Sequence, residues 1–320
     1  SDFALRACAR TLMPEVNAGV LGRYKPPGTQ VARRKLFGKH EAPMPKPWEH
    51  GPHYKVDDAF RKASLFGIAL APLMTQKPEV AKEVILAVLI EEPRPRDCER
   101  ERSYLLDDDR RLRLARVHQF SPAFHDKGPF WLFFNIAPER GTDCVIRRVA
   151  FATDRWSEQA GPATITLLTG DGKREYVGNS RLLGWYRGAV APLAVTSALM
   201  ALEEWLYRQI REGKAVDETF ATVLERSHSA PFLALFWEVG RFDPVLFKGV
   251  LRPLLSAAEL YDWEPRALAE GLNKLGLVCL GLQPRHVQQQ ICEWEGMQHR
   301  TRLVSQIAAH LLLFEPSMGE

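Results

Sequence analysis

The chain has 320 residues, of which 46% are hydrophobic and 26% charged, and its formal net charge at neutral pH is +4. This balance is typical of a soluble globular protein and excludes general disorder, because the apolar surface is large enough to offset the entropy lost on folding. The small positive excess does not by itself indicate a nucleic-acid-binding protein. The length allows one large domain or two ordinary ones.

The cysteines and the apolar runs predict a cytoplasmic protein with no membrane partner. The five cysteines include no CxxC pair, so we expect buried, reduced thiols. No stretch has the roughly 18 apolar residues that a membrane span needs. The chain lacks a signal peptide pattern and begins at Ser1 rather than Met, so we expect either a processed chain or a piece of a longer protein.

Residues 1–56 contain two different segments. Apolar residues spaced as on one helical face predict an N-terminal helix over 1–22. Residues 23–56 are rich in proline and glycine, which predicts a basic loop or linker. The basic residues of this loop that could contact nucleic-acid phosphates are Arg23, Lys25, Arg33, Arg34 and Lys35.

Residues 57–160 are predicted to form helical hairpins. Asp57 is a candidate N-cap, and Pro78 suits the first turn of a second helix. The stretch 94–116 alternates basic and acidic residues, which favours a solvated helical surface over a nucleic-acid-binding tract. Residues 129–156 show two apolar stripes joined by a short turn, which predicts a further pair of helices.

The hydrophobic period changes in residues 161–190, where we predict one β-hairpin insertion. Residues 163–168 and 173–177 are two runs with strand character. Asp171 and Gly172 lie between them, and Asp-Gly is a strong signal for a two-residue hairpin turn.

Residues 191–320 are predicted to form C-terminal helical repeats. Ser229 is a candidate N-cap for one helix, and Gly240 is expected to end that helix. Prolines are favoured in the first turn of a helix, so they mark where helices begin. Those expected to open helices are Pro192, Pro231, Pro244, Pro265 and Pro284.

A weak internal repeat supports the fold class. The run Pro-Phe-Trp-Leu-Phe-Phe at 129–134 resembles Pro-Phe-Leu-Ala-Leu-Phe at 231–236, and each is followed by a second apolar helix. Stacked helix pairs close the apolar face that each pair leaves open. We therefore predict a mainly α fold, an irregular α-solenoid of HEAT-like helix pairs with the inserted β-hairpin. A compact helical bundle is the alternative.

We expect no catalytic site, no metal and no cofactor in this chain. The Gly-Lys pairs lack the spaced glycine and Ser/Thr of a Walker motif. His50 and His53 lie in the proline-rich loop without a matching carboxylate or cysteine pair. A metal-dependent nuclease or other hydrolase is an alternative, and it would use Asp57, Asp58 and Asp107–Asp109.

The eight tryptophans are expected to lie mostly between helices. One cluster is predicted to be exposed, because it lies between the hairpin and the next helix. Aromatic and arginine side chains are frequent hot spots of protein interfaces. The predicted protein-binding residues are Trp185, Tyr186 and Arg187.

Five stretches carry a resemblance to a known family: Gly184–Arg187, Ser197–Leu206, Val239–Pro244, Leu251–Leu255 and Glu259–Trp263. Together they resemble the helical region downstream of the ATPase module in large bacterial STAND-type NTPases, many of them implicated in antiphage defence. In that family the helical part senses a ligand, and the ATPase and effector lie elsewhere in the chain. None of the matching stretches is a catalytic motif.

The resemblance implies a non-catalytic sensor or scaffold segment of a larger bacterial signalling or antiviral ATPase. Its partners would be a protein ligand and the other domains of the same protein. The alternative is a nucleic-acid-binding helical module that uses the basic loop at 23–39.

Overall fold

The computed structural model describes residues 58–90, 112, 114, 120–161, 163–187, 191–270 and 284–314. Within these ranges helices dominate, and the strands form one two-stranded antiparallel sheet. The prediction of a mainly α fold with one hairpin is therefore confirmed. The predictions for the helix 1–22, the loop 23–56 with its five candidate phosphate-contacting residues, Asp57, and most of 94–116 with Asp107–Asp109 lie outside the described residues.

Three helices open the described part: α1 (Asp58–Leu65), α2 (Ala71–Gln76) and α3 (Pro78–Leu89). Pro78 stands at the start of α3 as predicted, where its missing N–H costs nothing. A left-handed glycine, Gly67 with φ of 72°, turns the chain between α1 and α2.

The helix pair predicted over 129–156 is confirmed as α4 (Phe130–Ile136) and α5 (Pro138–Ala160). Three phenylalanines of α4 are buried and face α5 and the helices packed against it. Ala137 alone separates the end of α4 from Pro138, which opens α5. Burial of these aromatic side chains stabilises the packing of the pair.

The predicted hairpin is present as β1 (Thr164–Thr169) and β2 (Gly172–Val177). Thr169 pairs with Gly172, so the turn residues are Gly170 and Asp171, one position earlier than predicted. Gly172 instead begins β2 with a φ of 123°, which only glycine adopts without strain.

The C-terminal part is helical, as predicted. Pro192, Pro231 and Pro284 stand at helix starts, and Pro244 opens a 3₁₀ turn after an N-cap aspartate. Short 3₁₀ turns occupy 184–187, 244–248, 252–256 and 298–301. The helices are α6 (Ser180–Leu183), α7 (Leu193–Arg211), α8 (Asp217–Arg226), α9 (Pro231–Phe242), α10 (Ala258–Glu270), α11 (Arg285–Glu295) and α12 (Val304–Phe314).

Three predictions of helix boundaries are wrong. Gly240 does not end α9 but lies inside it, because its missing side chain makes room for the ring of Phe247. Pro265 lies inside α10 rather than at a helix start. Ser229 is not the N-cap of α9: its buried hydroxyl oxygen accepts no cap hydrogen bond, and its main chain bridges to β2 instead.

The core is centred on α7 and α9. α7 packs against α4, α5 and α9, and α9 also contacts the 3₁₀ turns that flank it in space. A salt bridge ties the first helices to this core: Lys82 Nζ of α3 lies 2.6 Å from Asp143 Oδ2 of α5. Arg226 of α8 pairs with the other oxygen of Asp143. None of the described helices is long and apolar enough to cross a membrane.

Replacing Gly240 by alanine should destabilise the fold. A Cβ at this position would lie 2.4 Å from the ring of Phe247, which is fully buried. The clash should cost about 1–3 kcal/mol, more than the gain of up to about 1 kcal/mol in helix propensity.

Thermal or urea unfolding checks this. Gly170→Ala is the matched control, because nothing lies within 4 Å of its added Cβ. Adding Phe247→Leu to Gly240→Ala should recover part of the loss. Equal stabilities of Gly240→Ala and the wild type would contradict this packing.

Candidate functional site

The expected exposure of Trp185, Tyr186 and Arg187 is wrong. They are 1%, 1% and 8% exposed, because the 3₁₀ turn that carries them is clamped between α7 and α9. The hydroxyl of Thr196 on α7 donates to the Trp185 carbonyl at 2.9 Å. These side chains therefore face inward, and two of them join a buried network of charges.

Glu238 of α9 is the centre of that network. Its Oε2 accepts from the Tyr186 hydroxyl at 2.8 Å and lies 3.1 Å from both Arg187 Nη2 and Arg241 Nη1. Its Oε1 lies 3.7 Å from Arg300 Nη1. One carboxylate thus faces three guanidinium groups from three separate segments.

A second carboxylate, Glu203 of α7, extends the network. Its Oε1 accepts from Arg300 Nη2 at 2.9 Å and from the Tyr207 hydroxyl at 2.7 Å. The Tyr207 oxygen also lies 2.9 Å from His299 Nε2. The segment 298–301 is thereby bound to α7 through polar contacts.

The third carboxylate, Glu264, brings α10 and α12 to the same place. It accepts from Trp237 Nε1 at 3.0 Å and from the Val304 main-chain N–H at 3.0 Å. Arg241 Nε lies 3.8 Å from it. Because Val304 begins α12, this carboxylate fixes the start of the last helix.

We call this set the buried network. Its three carboxyl groups and three guanidinium groups balance in charge when all three carboxyls are ionised. All six side chains are nearly or fully withdrawn from solvent, where an uncompensated charge is costly. The members are Glu203, Glu238, Glu264, Arg187, Arg241 and Arg300.

The network shifts the pKa values of its two central carboxyl groups in opposite directions. Burial raises the pKa of Glu203 to about 7, and Arg300 only partly offsets that effect. Burial also pushes the pKa of Glu238 upward, but the combined charges of Arg187, Arg300 and Arg241 outweigh it and lower the pKa to about 2. Glu238 is therefore the permanent anion, and Glu203 is the titrating member.

A surface cleft lies next to this network, between the hairpin and α10. Its volume is about 340 Å³. We call it the hairpin cleft. It is lined by, among others, Thr164 of β1, Asn179 at the start of α6, and Glu259, Asp262, Trp263 and Arg266 of α10.

Helix α10 connects the hairpin cleft to the buried network. Trp263 lines the cleft and packs on Tyr186 with ring centroids 6.2 Å apart. The next residue, Glu264, points the other way and binds Trp237 and Val304. A displacement of α10 by an occupant of the cleft would therefore act directly on network contacts.

The candidate metal, nucleic-acid and hydrolase residues of the sequence are not among the described residues of the buried network or the hairpin cleft. Within the described ranges, no group of three or more His, Cys, Asp or Glu side chains is arranged to hold a metal ion. Arg23, Lys25, Arg33, Arg34 and Lys35 lie outside these ranges, as do Asp57 and Asp107–Asp109. The nucleic-acid and hydrolase alternatives thus stay predictions.

Sequence reasoning missed the network carboxylates. A signal was present, because Glu203 lies one helical turn from Leu199 and Leu206 on the apolar face of α7. Glu238 likewise interrupts an otherwise apolar run in α9. A charge on a buried helical face indicates a paired buried ion.

The chain matches no known protein family, and no curated protein matches it.

Replacing Glu238 by glutamine should strongly destabilise the protein. The amide keeps the shape but leaves the guanidinium groups around it without their shared counter-ion, which costs about 3–5 kcal/mol. Urea unfolding followed by tryptophan fluorescence measures this. Glu158→Gln, which breaks an exposed pair with Arg155, is the matched control and should unfold like the wild type.

The pH dependence of stability should reveal Glu203. As the pH rises from about 4.5 to about 7, the unfolded chain releases this proton while the folded chain keeps it, so the free energy of unfolding falls. His299 acts in the opposite direction: burial lowers its pKa to about 4, and its contribution rises with pH up to about 6.5.

The difference in the free energy of unfolding between the wild type and Glu203→Gln isolates Glu203, because both proteins contain His299 and its contribution cancels. The amide resembles the protonated carboxyl, so the variant should gain stability relative to the wild type between about pH 4.5 and 7. Above and below that window the difference should be constant. Parallel stability curves across the whole range would contradict the raised pKa of Glu203.

Proposed function

We propose that this chain is a non-catalytic helical sensor or scaffold segment of a larger bacterial STAND-type ATPase with a role in antiviral defence, and that it binds a protein ligand. The observation that supports this is where the resembling stretches lie. Four of the five contribute to the buried network or to the hairpin cleft. These contributions are Tyr186 and Arg187, Glu203, Arg241, and Glu259 with Asp262 and Trp263.

We further propose that the helix pairs stack as an irregular HEAT-like array. The support is the packing order: α4 and α5 pack on each other, α5 packs on α3, and α7 packs on both α4 and α9. In the proposed array each helix pair covers the apolar face of its neighbour, as stacked pairs require.

In this proposal, binding energy is transmitted through the buried network. A ligand shifts a conformational equilibrium only by the difference between its affinities for the two states. Partial displacement of the network would separate buried charges, which is expensive, so its members move together or stay in place. A bound ligand therefore acts on α7, α9, α10 and α12 as one unit.

ATP hydrolysis by the complete protein tests this function. Partners copurified with the complete protein from infected and uninfected cells are compared, and the infection-dependent partner is then added to purified protein. We expect this partner to raise the hydrolysis rate.

A variant of the complete protein without its Walker lysine is the control and should show no rate with or without the partner. The proposal is wrong if no infection-dependent partner is found at physiological salt. It is also wrong if such a partner binds without changing the rate.

A further inference from the structure

The outer edge of β1 presents main-chain hydrogen-bonding groups. The Leu168 N–H points away from β2 and donates to Ser256 Oγ at 2.9 Å. Alternate residues of an antiparallel strand direct their N–H and C=O groups to the same edge. Thr166 and Thr164 therefore direct theirs outward as well. The Ala163 carbonyl has the opposite direction, since it accepts from the Gly178 N–H at 2.7 Å.

The two edges of the hairpin differ in what covers them. At the edge of β2, the Val177 N–H donates to the His228 carbonyl at 2.6 Å, and the Val177 carbonyl accepts from the Ala230 N–H at 3.0 Å. The edge of β1 is held by Ser256 near the turn. Among the described residues, no partner is found for the main-chain groups of Thr164. An open strand edge is a template for another strand.

Helix α10 forms the opposite wall of the cleft, with charges in a defined order. Glu259 and Asp262 are exposed and lie one helical turn apart, and neither forms an ion pair with a described residue. Arg266 follows one turn later. A groove between a strand edge and a helix is the geometry in which PDZ and PTB domains add a peptide strand.

We propose that the hairpin cleft binds an extended peptide segment of a partner protein, which adds as a strand to the outer edge of β1 beside α10. Main-chain groups of the peptide bond the N–H and C=O of Thr164. A basic side chain of the peptide lies against Glu259 and Asp262, and an acidic one lies against Arg266.

The spacing of the charges sets the peptide pattern. Four residues of helix, from Asp262 to Arg266, rise by about 6 Å. Two residues of an extended strand span about 6.6 Å and point to the same side. The peptide therefore carries a basic residue two positions from an acidic one. This inference rests on the proposed function in one respect: the peptide is taken as part of the protein ligand.

Selection from a displayed library of random nine-residue peptides, with the full chain as bait, tests the pattern. We expect enriched peptides with β-branched residues and a basic and an acidic residue two positions apart. The best peptide is then made with a fluorescent label, and its affinity is measured by anisotropy. No enrichment, or enrichment without this charge pattern, would overturn the proposal.

Two variants at Thr164 test the main-chain contact. Thr164 is the first residue of β1 and its N–H points outward, so proline there removes that donor and leaves the pairing with β2 intact. Thr164→Pro should weaken the labelled peptide about tenfold. Thr164→Val keeps the N–H and should bind as the wild type does, and melting temperatures verify that both variants fold. Equal affinities of the two variants would contradict strand addition.

Charge reversal tests the contact with α10. The double variant Glu259→Lys with Asp262→Lys should lose the selected peptide and prefer a version in which Glu replaces the basic residue. An unchanged preference would contradict the assigned orientation. Both substitutions lie on exposed positions, so the fold should persist.

The outcomes separate this inference from the proposed function. If the peptide binds but ATP hydrolysis by the complete protein never responds to a partner, the proposed function fails and the peptide site stands. If a partner raises hydrolysis equally in the complete protein with Thr164→Pro and with Thr164→Val, the peptide site fails and the sensor function stands.

Discussion

The C-terminal half of this protein depends on keeping six buried ionisable side chains together. Glu238 faces three guanidinium groups, and removal of any one partner would leave a charge in a medium that cannot solvate it. The elements that supply these charges are distant from one another in sequence: a 3₁₀ turn, three helices and the segment 298–301. Attraction between these opposite charges holds the five elements in one arrangement. Apolar packing around α7 and α9 excludes the water that would otherwise weaken these ion pairs.

The position of α10 gives the network a link to the surface. Trp263 and Glu264 are adjacent in sequence, yet one lines the hairpin cleft and the other binds the start of α12. Because one face of α10 lines the hairpin cleft and the other contacts the buried network, movement of α10 changes the contacts on both faces. In the proposed sensor role, that coupling converts a peptide contact at the surface into a force on buried ion pairs.

Local patterns in the sequence predicted the helices well. These patterns depend only on residues close in sequence, so they can be recognised without the structure. They are the stripe of apolar residues in α7, the prolines at helix starts and the hairpin signal. The misplaced features depend on distant partners. Gly240 is explained by Phe247, and Trp185 to Arg187 were expected at the surface because their contacts with Thr196 and Glu238 are invisible locally. Glu203 and Arg300 are 97 positions apart, and no spacing rule relates them.

Native-state hydrogen exchange tests most directly whether the network makes one cooperative unit. The decisive probe is the Val304 amide, which donates to Glu264 at the far end of the network. If the network holds these elements together, this amide opens with the same free energy as the central amides of α7 and α9. A much lower opening free energy for Val304, with α7 and α9 still closed, would show that the last helix detaches independently and would contradict the account.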